Sequence, residues 1–206
     1  MSHRLLTVFA FAAVSLMSAF QAHAAIVYDE GVSGDLSGSG LTPTSISLGV
    51  GSNQIFGTTG RSEALVQDRD YFAVSIPSGY EIVSLIELAG TTVVSGVSFL
   101  AVQTGTQVTV SQTPADATGL LGWLHFPATA VDIDVLTALG SSGAGATDFV
   151  PPLPSGNYAF WVQDTGIGSS SYGFDIVVAV PEPGVATALL VGLAAVGVAR
   201  ARRLRG

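Results

Sequence analysis

Short runs of alternating apolar and polar residues recur along the middle of the chain, and they restrict its fold more than any other feature. In the stretch DYFAVSI, the side chains of Phe72, Val74 and Ile76 form one set, and we place Asp70 with the alternate, outward set. A period of two is typical of a β-strand, whose successive side chains point to opposite faces of the sheet. The pattern therefore predicts a strand with one apolar face toward a core.

Similar runs recur in AIVYDE, TSISLGV, EIVSLIEL, VSGVSFLAVQTG, TQVTVSQ, LLGWLHF, NYAFWVQD and YGFDIVVAV. Turn formers such as PSG and SSGAG stand between them. About eight to ten short strands separated by turns predict an all-β fold, an antiparallel β-sandwich or jelly roll. Only Thr129–Leu139 is ambiguous, since so short a stretch fits either a strand or a helix. The small-residue-rich segment from Gly140 is expected to form a surface crossover.

The N-terminus carries the three parts of a secretory signal peptide. A positive charge at Arg4 is followed by an apolar run, which ends in small residues at Ala22 and Ala24. The export machinery and its signal peptidase read this order of parts. We therefore predict a signal peptide over residues 1–24 and a mature chain that begins at Ala25. An N-terminal membrane anchor is the alternative, although the run is short for one and would not need the Ala-x-Ala ending.

The body between the two apolar ends, residues 25–179, is long enough for one domain with a sizeable core. The chain has no lysine, and only Arg61 and Arg69 of its seven basic residues lie in the body. Such an acidic surface repels phosphate backbones, so nucleic acid is excluded as a partner. Cysteine is absent, which excludes disulfides, thiol catalysis and thiolate metal sites.

The body shows no recognisable catalytic set. His125 is the only histidine left after removal of the signal peptide, and it lies beside Trp123 in an apolar run without a Gly-x-Ser-x-Gly motif. A serine hydrolase would need this histidine as its base, and a zinc site would need further histidines. We therefore predict a protein that is not an enzyme and has no catalytic residue and no cofactor. A secreted hydrolase with opposed carboxylates is the less favoured alternative.

Aromatic residues offer a second alternative, a carbohydrate-binding module. The candidates for a sugar-stacking face are Tyr71, Tyr80, Trp123, Tyr158, Trp161 and Tyr172. Trp161 falls on the opposite face of its strand from Tyr158 and Phe160, and a core position is slightly favoured for it.

Two pairs of carboxylates are candidate calcium ligands. Asp68 with Asp70, and Asp132 with Asp134, would each lie on one face of an extended strand. Hard cations such as calcium bind clusters of oxygen atoms. Neither pair matches an EF-hand loop, and aspartate also caps turns, so turn capping stays open as their role.

The chain closes in VPEPGVATALLVGLAAVGVARARRLRG. Pro181 and Pro183 donate no amide hydrogen and fix their own backbone, so the last strand must end near Val180. Val185–Ala199 predicts a single transmembrane helix of about 15 residues, which at about 22 Å is short for a bilayer. A positive-inside stop follows, made by Arg200, Arg202, Arg203 and Arg205.

Residues 180–206 resemble the PEP-CTERM sorting signal of Gram-negative bacteria, which combines a Val-Pro-Glu-Pro motif, a short transmembrane helix and an arginine-rich end. The motif residues are Val180, Pro181, Glu182 and Pro183. The resemblance implies that an exosortase cuts near this motif. It also implies that the inner membrane holds the chain only transiently, before transfer to the outer surface or extracellular matrix of a cell that makes exopolysaccharide. A plain C-terminal membrane anchor is the alternative.

Two stretches of the body carry a further set of motif residues, which are Asp68, Asp70, Tyr71, Phe72, the turn at 77–79, Gly156, Tyr158, Tyr172 and Phe174. In these stretches the body is similar to the bacterial pre-peptidase C-terminal domain, a small β-sandwich of secreted proteins. Together with the two processing signals, this similarity leads us to expect an exported surface or matrix protein with a structural or adhesive role. Exopolysaccharide is a candidate partner.

Overall fold

The computed structural model describes residues 24–111, 116–129 and 131–181, and in these the chain is built mainly of β-strands. The strands are β1 (Ala25–Asp29), β2 (Thr44–Ile46), β3 (Gly51–Arg61), β4 (Gln67–Ile76), β5 (Glu81–Glu87), β6 (Ser98–Thr104), β7 (Gly122–Phe126), β8 (Gly156–Gln163) and β9 (Gly168–Ala179). Two short helices are α1 (Glu30–Ser33) and α2 (Leu136–Ser141). The prediction of an all-β fold is confirmed.

The strands form one curled sheet in the order β5-β9-β3-β4-β8-β6-β7, in which every neighbouring pair is antiparallel. β3 and β4 pair only where Gly60 faces Asp68 and Arg61 faces Gln67, and then they diverge. The first half of the sheet is β3, β9 and β5, and the second half is β4, β8, β6 and β7. β1 joins the free edge of β3 and β2 joins the free edge of β4, both in parallel.

The two halves enclose one apolar core. Phe72 stacks on Phe160 within the second half, with ring centroids 5.0 Å apart. Phe126 of β7 meets Phe174 of β9 edge to face at 5.2 Å. Because β7 and β9 belong to different halves, this contact spans the core. The prediction that Phe72 faces inward, with Val74 and Ile76, is confirmed by their burial.

A second buried cluster lies on the outer face of the second half. It consists of Tyr71, Ala73, Ala101, Val108, Leu120, Ala159 and Trp161. The predicted strand TQVTVSQ is wrong for its described residues, because 106–111 form no strand. Val108 packs in this outer cluster instead, and its amide donates to the Gly40 carbonyl oxygen at 2.8 Å. The alternation in TQVTVSQ therefore marks a segment whose described residues form no strand and whose apolar side packs over the outer face of the sheet.

β3 is the strand that the sequence pattern does not predict. Its run GSNQIFGTTGR contains few large apolar residues, yet it pairs with β9 over ten positions. The buried Asn53 amide donates to the carbonyl oxygens of Gly49, Gly51 and Ile176 at 2.8–3.0 Å. Side-chain hydrogen bonds thus replace part of the apolar packing that usually marks a central strand.

The ambiguous stretch Thr129–Leu139 contains both kinds of contact. Asp134 forms an isolated bridge with Ile86, and α2 begins at Leu136. The following segment, 142–155, reaches β8 with a single bridge between Leu153 and Ile82. The predicted crossover after Gly140 is therefore confirmed beyond the end of α2.

Both ends of the described body lie at the same end of β3. Ala25 pairs with Asn53, and Val178 pairs with Gly51. We call this the terminal end of the sheet. The hairpin end, where β3 pairs with β4 at Arg61, is about 30 Å away at ~3.3 Å per residue.

Within residues 24–111, 116–129 and 131–181, no helix is both long enough and apolar enough to cross a membrane. Residues 1–23 of the predicted signal peptide lie outside the described residues. So do Glu182, Pro183, the predicted helix Val185–Ala199 and its four arginines.

Glu87 ends β5 with a fully buried carboxyl group, and neither oxygen has a hydrogen-bond partner among the described residues. Burial raises the pKa of Glu87 from 4.5 to about 7. Between these values the folded chain holds a proton that the unfolded chain has released. The free energy of unfolding therefore falls as pH rises through this window.

We expect Glu87→Gln to raise the free energy of unfolding at pH 8 by about 1–3 kcal/mol, because no charge is then buried. Its stability should also depend less on pH between 5 and 8. Urea denaturation of both proteins at the two pH values measures these effects, with the exposed Glu63→Gln as the matched control. A Glu87→Gln protein that follows the unaltered chain at both pH values would contradict the prediction.

Candidate functional site

Three carboxylates meet where β3 and β4 diverge. They belong to Glu30, Asp35 and Asp70, and one oxygen of each lies within 4.8 Å of the others. Glu30 opens α1, Asp35 follows that helix, and Asp70 lies on β4. The segment between β1 and β2 crosses from the edge of the first half to the edge of the second half. It carries Glu30 and Asp35, and the crossing places both beside Asp70. We call this group the carboxylate cluster.

Glu30 is fixed from two sides. Its Oε1 accepts a hydrogen bond from the Leu36 amide at 2.9 Å, and its Oε2 accepts from the Thr58 amide at 2.7 Å and the Thr58 hydroxyl at 3.2 Å. Asp29 caps α1 by accepting from the Gly31 amide. Thr58 lies on β3 beyond the segment that pairs with β1, so its amide has no strand partner on that edge among the described residues. The Glu30 carboxylate accepts a hydrogen bond from this amide and lies beside β4.

Asp70 points into the core, and our placement of it on the outward face is wrong. It shares the inward face of β4 with Phe72 and is fully buried. The Tyr172 hydroxyl donates to its Oδ2 at 2.8 Å across the core. Gly57 makes room for that tyrosine, because a Cβ at this position would lie 2.5 Å from the hydroxyl. In the part of the chain that the structure describes, Oδ1 of Asp70 has no hydrogen-bond partner.

The environment of the cluster opposes ionisation. Burial, and then the charge of Glu30, raise the pKa of Asp70 to about 9, despite the hydrogen bond from Tyr172. Burial also raises the pKa of Glu30, and burial and then Asp35 raise that of Asp68. Such a group of acids holds protons in the absence of a cation and releases them when a cation binds.

The donor set of the cluster fits calcium. Calcium binds oxygen atoms at about 2.3–2.6 Å, so two of its ligands lie at most about 5 Å apart. The oxygen separations within the cluster, up to 4.8 Å, fall inside this limit. Asp35 is exposed, so an ion could enter from solvent on that side. Four calcium ligands were predicted from the sequence, and only Asp70 of these belongs to the carboxylate cluster. Asp68 lies next to the cluster.

The second predicted pair lies elsewhere. Oδ1 of Asp134 accepts from the amides of Leu85 and Leu136 at 3.0 and 2.9 Å, and its Oδ2 accepts from the Ser84 hydroxyl at 2.8 Å. Asp132 is exposed in a turn with a φ of 59°. The contacts of Asp134 correspond to the turn-capping role that was left open for these aspartates.

Comparison with known proteins gives no template for the carboxylate cluster. No protein-family model matches the chain, and no curated protein or solved structure is significantly similar to it. The resemblances to the PEP-CTERM signal and to pre-peptidase C-terminal domains therefore stay predictions from the residues that carry them.

A groove of about 370 Å³ opens on the outer face of the second half. Its strand residues are Phe99 of β6, Trp123 and His125 of β7, and Trp161 and Gln163 of β8, and we call it the aromatic groove. Phe99 stands opposite both Gln163 and His125 in the sheet register, so these three side chains form one row across three strands.

The rings of the groove contact one another. Phe99 meets Trp161 edge to face at 4.8 Å and stacks on Trp123 at 5.9 Å. The indole nitrogen of Trp123 donates to the Ala144 carbonyl oxygen at 3.2 Å. The indole N–H of Trp161 is buried and has no partner among the described residues. The rings are therefore fixed, and one donor stays unsatisfied.

Two of the six predicted aromatic residues, Trp123 and Trp161, line this groove. Tyr158 and Tyr172 lie in the inner core, Tyr80 packs against that core, and Tyr71 stacks on Trp161 in the outer cluster. Phe99 and Gln163 are groove residues that were not predicted from the sequence. The alternation of apolar and polar residues in β6 and β8 predicts which face of the sheet these two side chains lie on. Only the register between the strands shows that they lie beside the tryptophans.

Proposed function

We propose that this chain is an exported protein of the outer surface or extracellular matrix of a Gram-negative bacterium, processed by an exosortase at Val180–Pro183. The observation that carries the proposal is that the first strand begins where the predicted signal peptide ends, and the last strand ends where the predicted sorting signal begins. β1 begins at Ala25, directly after the expected signal-peptidase site, and β9 ends at Ala179, directly before Val180. Removal of both signals would leave every described strand in place.

The start of the sorting motif is accessible to a protease. Val180 is 59% exposed and Pro181 is exposed, and both follow the last residue that pairs in β9. Proline has no amide to pair with a neighbouring strand. An extended, unpaired segment of this kind suits a protease cleft.

The position of the two ends supports a temporary membrane attachment. The chain enters at Ala25 and leaves at Ala179, both at the terminal end of the sheet. A body held by a short C-terminal transmembrane helix would face the inner membrane with this end. The hairpin end would then point away from the membrane.

A structural or adhesive role is favoured over catalysis. Asp70, whose pKa is the most raised among the carboxylates with a stated value, is fully buried and cannot reach a substrate. His125 is exposed, and its imidazole contacts aromatic rings but forms no hydrogen bond within the described residues, so no carboxylate holds it as a general base. The Phe126–Phe174 contact between the two halves supports the finer description of the body as a β-sandwich.

Replacement of Glu182 and Pro183 by alanine is expected to block processing without unfolding the body, because both residues follow β9. In the native host, the unaltered chain should lose its C-terminal segment and leave the inner membrane. The double variant should keep the segment and stay there. Intact-protein mass spectrometry of fractionated cells measures both the cut and the location.

The exposed Glu63→Ala is a matched control for this experiment, and it should be processed like the unaltered chain. If both the unaltered chain and the double variant kept their C-terminal segment in the inner membrane, the chain would have a plain anchor. The sorting proposal would then be wrong.

The carboxylate cluster favours a second function, calcium binding that stabilises the body. The observation that carries it is the fully buried Asp70 with one unpartnered oxygen, beside Glu30 and Asp35. Extracellular modules bind calcium with dissociation constants of about 10⁻⁴–10⁻³ M. An exported protein with this affinity would fold most stably after it leaves the cytoplasm.

A further inference from the structure

We propose that the aromatic groove binds a neutral sugar residue of a polysaccharide. The groove lies on the outer face of the second half, whereas the carboxylate cluster lies at the opening between β3 and β4. The two sites share no lining residue. The groove would therefore act in addition to sorting and calcium binding.

The shape and surface of the groove suit a sugar ring. A pyranose ring has a face of C–H bonds and a rim of hydroxyl groups, so it needs a flat apolar wall beside polar atoms. Phe99 and Trp123 supply the wall, since both are partly exposed and stack on each other. The groove volume lies within the range of about 300–1,000 Å³ that is usual for small-ligand sites.

Polar groups for the hydroxyls lie around the same rings. The Arg69 Nε donates to Oε1 of Gln163 at 3.0 Å, which fixes the amide and leaves its nitrogen without a partner in the described residues. Trp161 is 6% exposed, and its buried N–H needs an acceptor. Asp116 in the flanking loop offers a carboxylate oxygen. A hydroxyl-rich ligand would use these donors and this acceptor, whereas a purely apolar ligand would leave them unpaired.

Charge selects a neutral sugar over an acidic one. The described lining residues include one carboxylate, that of Asp116, and no lysine or arginine. The whole chain has a formal net charge of −8. An anionic polysaccharide would meet repulsion here, with only Arg69 behind Gln163 to offset it.

The groove lies near the hairpin end of the sheet. Gln163 pairs with Arg69, two residues from the point where Gln67 pairs with Arg61 of β3. The terminal end, with Ala179, is at the opposite end of the strands. If the proposed membrane attachment holds, the groove therefore stays accessible while the body is attached. This step alone rests on the proposed function.

Tryptophan fluorescence tests the proposal directly, because both tryptophans of the chain line the groove. The full chain would be purified in a detergent without a sugar headgroup, since maltoside detergents would compete. Cellohexaose, maltohexaose and mannohexaose serve as neutral probes and hexagalacturonate as the anionic probe. A saturable emission change is expected with at least one neutral probe and none with hexagalacturonate.

Trp123→Ala removes the stacking wall but leaves Trp161 as the reporter, and it should weaken binding by about tenfold or more. Gln163→Ala should also weaken binding, and it keeps both rings if Trp123→Ala fails to fold. Phe56→Ala, a partly exposed aromatic residue of β3, is the matched control and should bind like the unaltered chain.

Three results would overturn the proposal. They are no saturable change with any neutral probe, an equal response to hexagalacturonate, or binding that is unaffected by both Trp123→Ala and Gln163→Ala. Because the assay uses purified protein, its outcome does not depend on whether the sorting proposal holds.

Discussion

Calcium at about 5 mM is expected to raise the melting temperature of the chain by about 2–9 °C at pH 8, and Asp70→Asn is expected to remove this increase. A ligand that binds only the folded state adds about 1–2.3 kcal/mol of stability at about 5 to 50 times its dissociation constant, the range that this concentration reaches. One kcal/mol shifts Tm by about 2–4 °C in a domain of this size. The effect depends on Asp70 because its buried Oδ1 has no other partner in the described residues.

The pH dependence identifies the same residue. Without calcium, the folded chain holds a proton on Asp70 up to a pKa of about 9, whereas the unfolded chain releases it near 3.8. The free energy of unfolding therefore falls as pH rises between these values. Asp70→Asn removes this loss, so in chelator at pH 8 it should be more stable than the unaltered chain. Calcium displaces the proton, so its affinity should increase as pH rises toward 9.

Thermal unfolding followed by circular dichroism at pH 6 and pH 8 measures both effects. The two solutions to compare contain chelator or calcium at about 5 mM, which exceeds the dissociation constants usual for extracellular modules. The exposed Asp132→Asn is the matched control and should respond to calcium like the unaltered chain. Equal melting temperatures with calcium and with chelator would show that the cluster does not bind calcium.

The sequence indicates the local part of this site but not its assembly. The spacing of Asp68 and Asp70 on an extended segment suggests a cation. However, Glu30 and Asp35 reach Asp70 only because the chain crosses from the edge of β3 to the edge of β4. No local pattern records that crossing. A period of two places Asp70 on the same face as Phe72, but Asp70 was assigned to the outward set because a buried carboxylate is rare.

The fold shows the same division between local and long-range information. Alternation predicts β4 and β8 because each has one apolar face against the core. β3 escapes prediction, since its burial depends on Asn53 and on pairing with β9 more than 100 residues away in the sequence. The TQVTVSQ run alternates as a strand would, but Val108 packs over the outer cluster without one. The alternation of apolar and polar residues shows which side of a segment is apolar. Whether that segment joins the sheet depends on its pairing with other strands.

Replacement of Asp164 by alanine is expected to lower the free energy of unfolding by about 3–5 kcal/mol. Asp164 follows β8 and is buried. Its Oδ2 accepts hydrogen bonds from the Ser170 hydroxyl at 2.6 Å and the Val94 amide at 3.0 Å, and its Oδ1 accepts from the Gly166 amide at 2.8 Å. One carboxylate thus joins the loop before β6 to the turn between β8 and β9, and alanine would leave several buried donors unpaired.

The change in the free energy of unfolding at acidic pH distinguishes hydrogen bonding by the charged Asp164 carboxylate from a general packing effect. Burial raises the pKa of Asp164, but hydrogen bonds from Ser170, Ser95, Gly166 and Val94 outweigh it and hold the pKa well below its usual range. The stabilisation is present above pH 4 and is lost as pH falls toward the folded pKa, because the unfolded chain then binds the proton first. Urea denaturation between pH 2 and 7 should therefore show a smaller acid decline in Asp164→Ala than in the unaltered chain, with the exposed Asp148→Asn as control. A variant that is destabilised equally at every pH would mean that packing alone, and not the charged carboxylate, stabilises this turn.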